Sequence, residues 1–394
     1  MGWPLSQEYN EAVQNPRTAF GDPELKAGEV VPGPLGIPMP RSGNFADVYQ
    51  FRANDGRMWA LKCFTRPAAG LRERYLKIDA HLRAARLPFT VGFQFLPEGV
   101  RVRGLWFPVL KMEWVEGQTL NEFVRKNIDK PDHLKALLGL WVRLCKRLRD
   151  SQMAHADLQH GNVLLVPGTS AKKLKLRLID YDGMFVPALA KSPSGEVGHP
   201  AYQHPLRLQK GFYTGDVDRF PHLVIGCALR ALAVAGKPLW DRFDNGDNML
   251  FREADLADPA NSPLFKALWQ LDDPTVTNLL SLLIVCASHP IAATPWLDEI
   301  LEGDTAVPVK EDVLNYAADV LGVPRRAVRQ SMPVAQIFVV PEEANDFSDL
   351  EYDGETFIRR RKKRPLTLTQ ALLGFGGVAL IAAAIIVSLL LMQK

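Results

Sequence analysis

The chain has 394 residues, 47% apolar and 23% charged, with 29 Gly and 29 Pro, which excludes a collagen, a coiled coil and a largely disordered chain. At roughly 150 residues per domain, the length suffices for two or three folding units whose core needs no staples. The formal net charge of +3 does not describe a basic nucleic-acid-binding body: six positive charges stand in one run, Arg359–Arg364, and without them and Lys394 the net is −4.

Residues 1–35 carry several Pro and Gly and little periodicity, and are expected to form an extended leader along a domain edge. A strand-rich region follows to about Trp114. In it, ADVYQF and MWALKCF flank Asn54-Asp55-Gly56, which is turn chemistry, so a hairpin should bring Lys62 near the loop around Arg41–Phe45. A mostly helical region then runs to about Ile291. Leu137, Trp141, Leu144 and Leu148 recur at spacings of four, three and four, the stripe of an amphipathic helix. After that helix come His155 and Asp157, then the apolar run NVLLV and the alternating run LKLRLID. Antiparallel pairing of these two runs would put Asn162 and Asp180 together at the open end of a second hairpin.

Residues 301–358 read as an acidic linker with one helix near Lys310–Leu321; the stretch 342–355 holds seven acids and no base, as in a solvated spacer. From Ala371 to Met392 the chain runs twenty-two residues without a charge. At about 1.5 Å per residue, a helix of that length spans the roughly 30 Å hydrocarbon core of a membrane. The basic flank 359–364 precedes it and only Gln393 and Lys394 follow, so the body is expected on the cytoplasmic side of a single-pass anchor. Cys63, Cys145, Cys227 and Cys286 are widely spaced without a CxxC pair and are expected as core thiols in a reducing compartment. No nucleic-acid partner is expected.

The chemistry concentrates in a loop Asp157, an Asn162 five residues later, and an Asp180 held against that Asn by the hairpin. Hard oxygen ligands of this kind suit Mg²⁺, which takes one or two protein ligands together with phosphate oxygens. At these residues the sequence resembles the protein-kinase family. HADLQHGN, His155–Asn162, matches the catalytic loop H-R-D-L-x-x-x-N, and LIDYDG stands at the metal-binding D-F-G. SGNFADVY resembles the phosphate-covering loop, WALK the V-A-I-K strand, KMEWVEGQTL the hinge, GHPAYQHP the end of the activation segment, and DRFPHLVIGCAL the anchoring helix of the large lobe. All stand in the family's order over about residues 36–291.

The resemblance implies an α+β, bilobal fold: a small, mostly antiparallel β lobe over about 36–113 and a larger, mostly helical lobe over about 114–300, followed by the linker and the transmembrane helix. It implies that Asp157 accepts the proton of the attacking hydroxyl, and that Lys62 contacts the phosphates of ATP with Glu73 as its acidic partner. Asn162 and Asp180 would hold Mg²⁺, or Mn²⁺ in its place. Gly43 would let the backbone approach phosphate, and Val48, Ala60 and Met112 would line the adenine cleft. Glu113 and Trp114 would contribute backbone groups there. Asp218 would either anchor the catalytic loop or cap its own helix, and His155 would bond the metal-binding segment as a structural residue.

Several positions depart from the family pattern. Arg41 and Ala46 stand where the phosphate loop has its other two glycines. Ala156 replaces the arginine that pairs with a phosphorylated activation loop, so activation by loop phosphorylation is not expected. Gln159 stands where serine/threonine kinases place a lysine, Leu206 replaces the Glu of A-P-E, and Asp182 in DYDG is a candidate second metal ligand. The implied function is an ATP-dependent phosphotransferase, a divergent serine/threonine protein kinase acting on protein hydroxyls at the cytoplasmic membrane face. A small-molecule or lipid-linked sugar kinase and a pseudokinase scaffold are the alternatives.

Overall fold

Alternation of apolar and polar side chains builds one antiparallel sheet from the first third of the chain. Its strands are β1 (Glu29–Val30), β2 (Arg41–Ser42), β3 (Ala46–Arg52), β4 (Met58–Phe64), β5 (Phe93–Val102) and β6 (Leu105–Glu113), in the order β1-β3-β4-β6-β5 with β2 added to β3. In this computed structural model the described residues are 2–325 apart from 44, 68–69, 168–173, 195, 211–212, 245, 303–304 and 307, together with 350–352 and 357–359. The apolar segment 371–392, most of the basic flank and most of the acidic run lie outside the described residues.

Two turns set the sheet's register. Gly56, at φ +84°, closes the β3–β4 hairpin and places Lys62 opposite Val48. Arg103 and Gly104, both at positive φ, close β5–β6 as a two-residue turn whose twist matches the strands. Opposed residues share a face, so Val48, Ala60, Lys62, Leu110 and Met112 line one side, and Tyr49, Phe51, Leu61, Cys63 and Val109 the other.

The second face is covered by the leader, which is not extended. It forms α1 (Ser6–Val13), α2 (Pro16–Ala19) and α3 (Pro23–Ala27), because proline at the first position of α2 and of α3 starts a helix rather than breaking one. Tyr9, Val13, Phe20 and Leu25 are buried against Tyr49, Phe51 and Leu61, each such burial contributing about 1.5–3 kcal/mol. Tyr9 donates to the Phe64 carbonyl at 2.6 Å, and buried Lys111 meets Asp22 and Glu24 of the leader.

Helix α4 (Leu71–Ala85) crosses the first face between β4 and β5. After β7 (Gln118–Thr119), α5 (Leu120–Lys126) leads into the expected amphipathic helix α6 (Pro131–Asp150), whose Leu137, Trp141, Leu144 and Leu148 are all buried. The second expected hairpin is β8 (Val163–Pro167) with β9 (Leu174–Leu178). Then α7 (Pro205–Lys210) precedes α8 (Arg219–Phe243), which is broken at Gly236, φ +59°, just ahead of Pro238. Helix α8 is long and apolar enough to cross a membrane, yet most of it is buried here by α6 and by α11 (Pro274–Ala287), which follows α9 (Glu253–Ala257) and α10 (Pro263–Gln270). The four cysteines are buried and unpaired, and burial pushes the Cys286 thiol up to about 11.

Beyond α12 (Leu297–Ile300), the helix expected in the linker is α13 (Glu311–Leu321). It buries Leu314, Ala317, Ala318 and Leu321 and packs on α11, so this part of the expected spacer belongs to the helical core. Leu350–Tyr352 pairs antiparallel with Phe357–Arg359 within the acidic region. The architecture is α+β, an antiparallel sheet joined to a helical assembly.

Candidate active site

The site forms where the chain leaves α6 and passes under the sheet. Asp218, at the start of α8, is fully buried and accepts the backbone N–H groups of His155 at 2.5 Å and Ala156 at 2.8 Å. Its side chain makes no bond to its own helix, so anchoring the loop, not capping, is its role. Burial pushes the Asp218 carboxyl up from its ordinary value, and the two N–H donors oppose that. His155 bonds the Ile179 carbonyl through Nε2 at 2.9 Å, as its expected structural role requires. Ala156 and Asp180 both sit in the left-handed region, at φ +66° and +64°, a conformation that costs a non-glycine residue about 1–3 kcal/mol and persists only where neighbours dictate it. Around Ala156 those neighbours are Asp218 and the fully buried Arg207, which donates to the Ala156 carbonyl at 2.7 Å.

These constraints aim Asp157 and Asn162 at each other. Asn162 Nδ2 donates to the Asp157 carbonyl at 2.9 Å and to its Oδ2 at 2.7 Å, and Gln159 reaches Oδ2 at 3.3 Å. Asp157 Oδ1 accepts the His199 N–H at 2.7 Å, so the GHPAYQHP segment folds back onto this carboxylate. The hairpin then sets Ile179 N–H on the Asn162 carbonyl at 3.1 Å, one residue before Asp180. Tyr181 is buried, accepting the Val91 N–H at 2.7 Å and donating to the Leu178 carbonyl, which fixes where Asp180 points.

Lys62 meets this assembly from the sheet. Its Nζ lies 2.7 Å from Asp180 Oδ1 and 2.6 Å from Asp182 Oδ2. Burial alone would lower the ammonium's pKa; the two carboxylates outweigh that and hold it above its ordinary value. Between the carboxylates, burial acts upward on both, and Lys62 draws Asp180 down while Asp182, repelled by Asp180, stays raised.

Glu73 is not where the resemblance put it. The buried stripe of α4 is Tyr75, Ile78 and Leu82, which turns Glu73 to solvent, where it pairs with Lys77 one turn on at 2.7 Å. Its neighbours face the site instead. Arg74 donates to the carbonyls of Asp182 at 2.8 Å and Met184 at 3.1 Å, and the Tyr75 hydroxyl bonds Asp182 Oδ1.

Of the expected nucleotide-lining residues, Val48, Ala60 and Met112 do share the Lys62 face of the sheet. Glu113 and Trp114 have their N–H groups engaged by the carbonyls of Gly92 and Met58, both at 3.0 Å, so a backbone contribution from them would have to come from their carbonyls. The Arg41 guanidinium lies over the Trp114 ring, 5.1 Å from its centre. Gly43 is exposed and its N–H bonds the Ala46 carbonyl at 2.9 Å; a Cβ there would meet only that oxygen, at 3.7 Å, so crowding does not demand glycine.

Glu196 was not legible in the sequence. It lies against Gly183, where a Cβ would come within 3.2 Å of its Oε1, and that oxygen is buried without a hydrogen-bond partner among the described residues. Burial, with the charges of Asp180, Asp157 and Asp182, pushes its carboxyl up to about 8. No local pattern in SPSGEVGHP distinguishes this Glu from a solvated loop acid. The pairing of Asp182 with Lys62 was likewise hidden, although DYDG had marked Asp182 as a residue of the site.

The donor set fits a hard cation. The Asn162 amide nitrogen is engaged by Asp157, which leaves its carbonyl oxygen as the ligating end, and the Asp180 side chain is 39% exposed. Among the described residues no three His, Cys, Asp or Glu side chains converge as a metal nest, so a cation here would draw most ligands from phosphate or water, the habit of Mg²⁺. Compared with protein-family models and with curated proteins, the chain matches neither.

Proposed function

We propose that the chain is a divergent protein-kinase-like phosphotransferase, with the sheet and its leader as the small lobe and the helical assembly as the large one. The observation that carries this reading is the convergence, on one small volume, of Lys62, Asp157, Asn162 and Asp180, linked by contacts of 2.7 Å within each pair Lys62–Asp180 and Asn162–Asp157. The Asp218 anchor, which the family resemblance singled out, supports it as well.

In this reading ATP lies against the Val48, Ala60 and Met112 face with its phosphates toward Lys62. Asn162 and Asp180 would hold Mg²⁺ or Mn²⁺, which when bound neutralises phosphate charge. The acceptor oxygen forms its bond to the γ-phosphorus as the bond to the β-bridging oxygen breaks, and its proton passes to the Asp157 carboxylate. Asn162, Gln159 and the His199 N–H keep that carboxylate oriented. The GHPAYQHP segment folded onto Asp157 favours a protein Ser or Thr hydroxyl as acceptor. Placement at the cytoplasmic membrane face rests on the sequence of residues 359–392.

The test is incubation of the full-length chain, in lipid nanodiscs, with γ-labelled ATP and Mg²⁺ or Mn²⁺, beside Asp157→Asn and Asp180→Ala. Label on the chain itself or on a general protein substrate, lost in both variants, is the expected result. Turnover only with a metabolite extract points to a small-molecule kinase. Nucleotide binding without any transfer points to a scaffold.

A further inference from the structure

We propose that Asp182 is the positioning residue for Lys62, the role the resemblance assigned to Glu73, and that Tyr75 and Arg74 couple this positioning to α4. The inference rests on the phosphotransfer reading and adds to it the means by which the sheet lysine is held. Lys62 is mostly buried, with a side chain 13% exposed, and its ammonium lies within 2.7 Å of two carboxylates, both carried by the segment after β9. Asp180 is the residue assigned to the cation, so a bound cation would compete with Lys62 for it. Asp182 is placed differently. Its Oδ2 meets Lys62 and its Oδ1 meets the buried Tyr75 hydroxyl, so both oxygens already have protein partners. That arrangement suits a strut between α4 and Lys62 better than a second cation ligand.

Arg74 reinforces the strut from the backbone side. Its guanidinium bonds the Asp182 and Met184 carbonyls and the Tyr213 hydroxyl, tying α4 to the segment on both sides of Gly183. A shift of α4 would therefore move Asp182, and through it the Lys62 ammonium. Glu73 has no such path, since it is held on the outer surface by Lys77.

The experiment uses the full-length chain in nanodiscs and compares Asp182→Asn, Asp182→Glu, Tyr75→Phe and Glu73→Gln. It reads kcat and the KM for ATP, the Mg²⁺ concentration for half-maximal rate, and the affinity for a fluorescent ATP analogue in EDTA. Misplacing a positioned group by about 1 Å can cost on the order of 10²-fold, so Asp182→Asn should lower kcat/KM by about that factor. It should weaken nucleotide binding in EDTA while leaving the Mg²⁺ half-saturation unchanged. Asp182→Glu restores part of the loss. Tyr75→Phe keeps the buried ring and removes only the hydroxyl, so it tests the coupling even if Asp182→Asn does not fold; a loss of about 3- to 10-fold is expected, in keeping with one hydrogen bond. Glu73→Gln should stay within about twofold of the parent chain, as an exposed one-turn ion pair predicts.

A rise in the Mg²⁺ requirement of Asp182→Asn would make Asp182 a metal ligand and overturn the proposal. So would an equal loss in Glu73→Gln, or parental kinetics in Tyr75→Phe. Transfer by the parent chain with Asp182→Asn unimpaired sinks this inference alone. No nucleotide binding and no transfer by the parent chain sinks the phosphotransfer reading, and this inference with it.

Discussion

Asp157 and Lys62 are held in opposite ways. The first grip on Asp157 is Asn162, five residues away on the same loop, and the hairpin that follows sets Ile179, the residue before Asp180, on the Asn162 carbonyl. Lys62 is held by carboxylates 118 and 120 residues distant, and the helix beside it decides which acid it meets. A short-range constellation is written in residue spacing. A long-range one depends on which face of a helix is buried, and several residue types can satisfy it.

The sharpest way to break the Asp157 side is through its anchor. Asp218→Asn keeps the size of a fully buried group that accepts two N–H bonds, but sets an amide NH₂ against one of those donors. The expected cost is about 2–4 kcal/mol in urea unfolding together with loss of transfer activity. An unchanged midpoint would show that the loop holds its left-handed Ala156 without the anchor.

Glu196 probes where the two sides meet, beneath Asp157, Asp180 and Asp182. Its carboxyl, ordinarily at 4.5 and here about 8, stays protonated in the folded chain after the unfolded chain has ionised. The stability it contributes is therefore full below 4.5 and lost as pH rises toward and through about 8. Glu196→Gln should flatten the pH dependence of the unfolding free energy in that window by on the order of 1–2 kcal/mol, solvent screening at a half-buried site included. An identical slope in parent and variant would show that Glu196 ionises freely.

A smaller effect tests the leader as part of the sheet's core. Tyr9→Phe removes the bond to the Phe64 carbonyl and keeps the ring, and should cost about 1 kcal/mol in thermal unfolding. No change would mean that the leader is not cooperative with the sheet. Smallest of all is Glu73→Gln, for which unaltered stability is expected because the group is fully exposed; a marked loss of stability would place Glu73 in a buried contact.

Both hairpins, helix α6 and the loop from His155 to Asn162 were legible, because turn chemistry and strand alternation specify them locally; the side chains there pair otherwise than expected, Asn162 with Asp157 and Asp180 with Lys62. Asp218 was legible as a choice between two roles, which its bonds to His155 and Ala156 settle. The leader's helices span only four to eight residues, too short for periodicity to register, and its prolines, a mark of extended chain elsewhere, start two of those helices. Glu73 is turned away from Lys62 by the rotation of α4. In LRERYLKIDAHL, Leu76 competes with Tyr75 for the buried stripe, and the structure buries Tyr75 and leaves Leu76 exposed, which carries Glu73 away from Lys62.

In the phosphotransfer reading, Lys62 stands at the phosphates of a bound nucleotide. An ATP analogue with an acyl group on its terminal phosphate transfers that acyl group to the nearest amine, forming an amide as the acyl–phosphate bond breaks. Mass spectrometry of the full-length chain after such labelling should find the acyl group on Lys62, suppressed by excess ATP. Labelling spread over surface lysines, or labelling of Lys62 that ATP does not suppress, would contradict a nucleotide site on this face of the sheet.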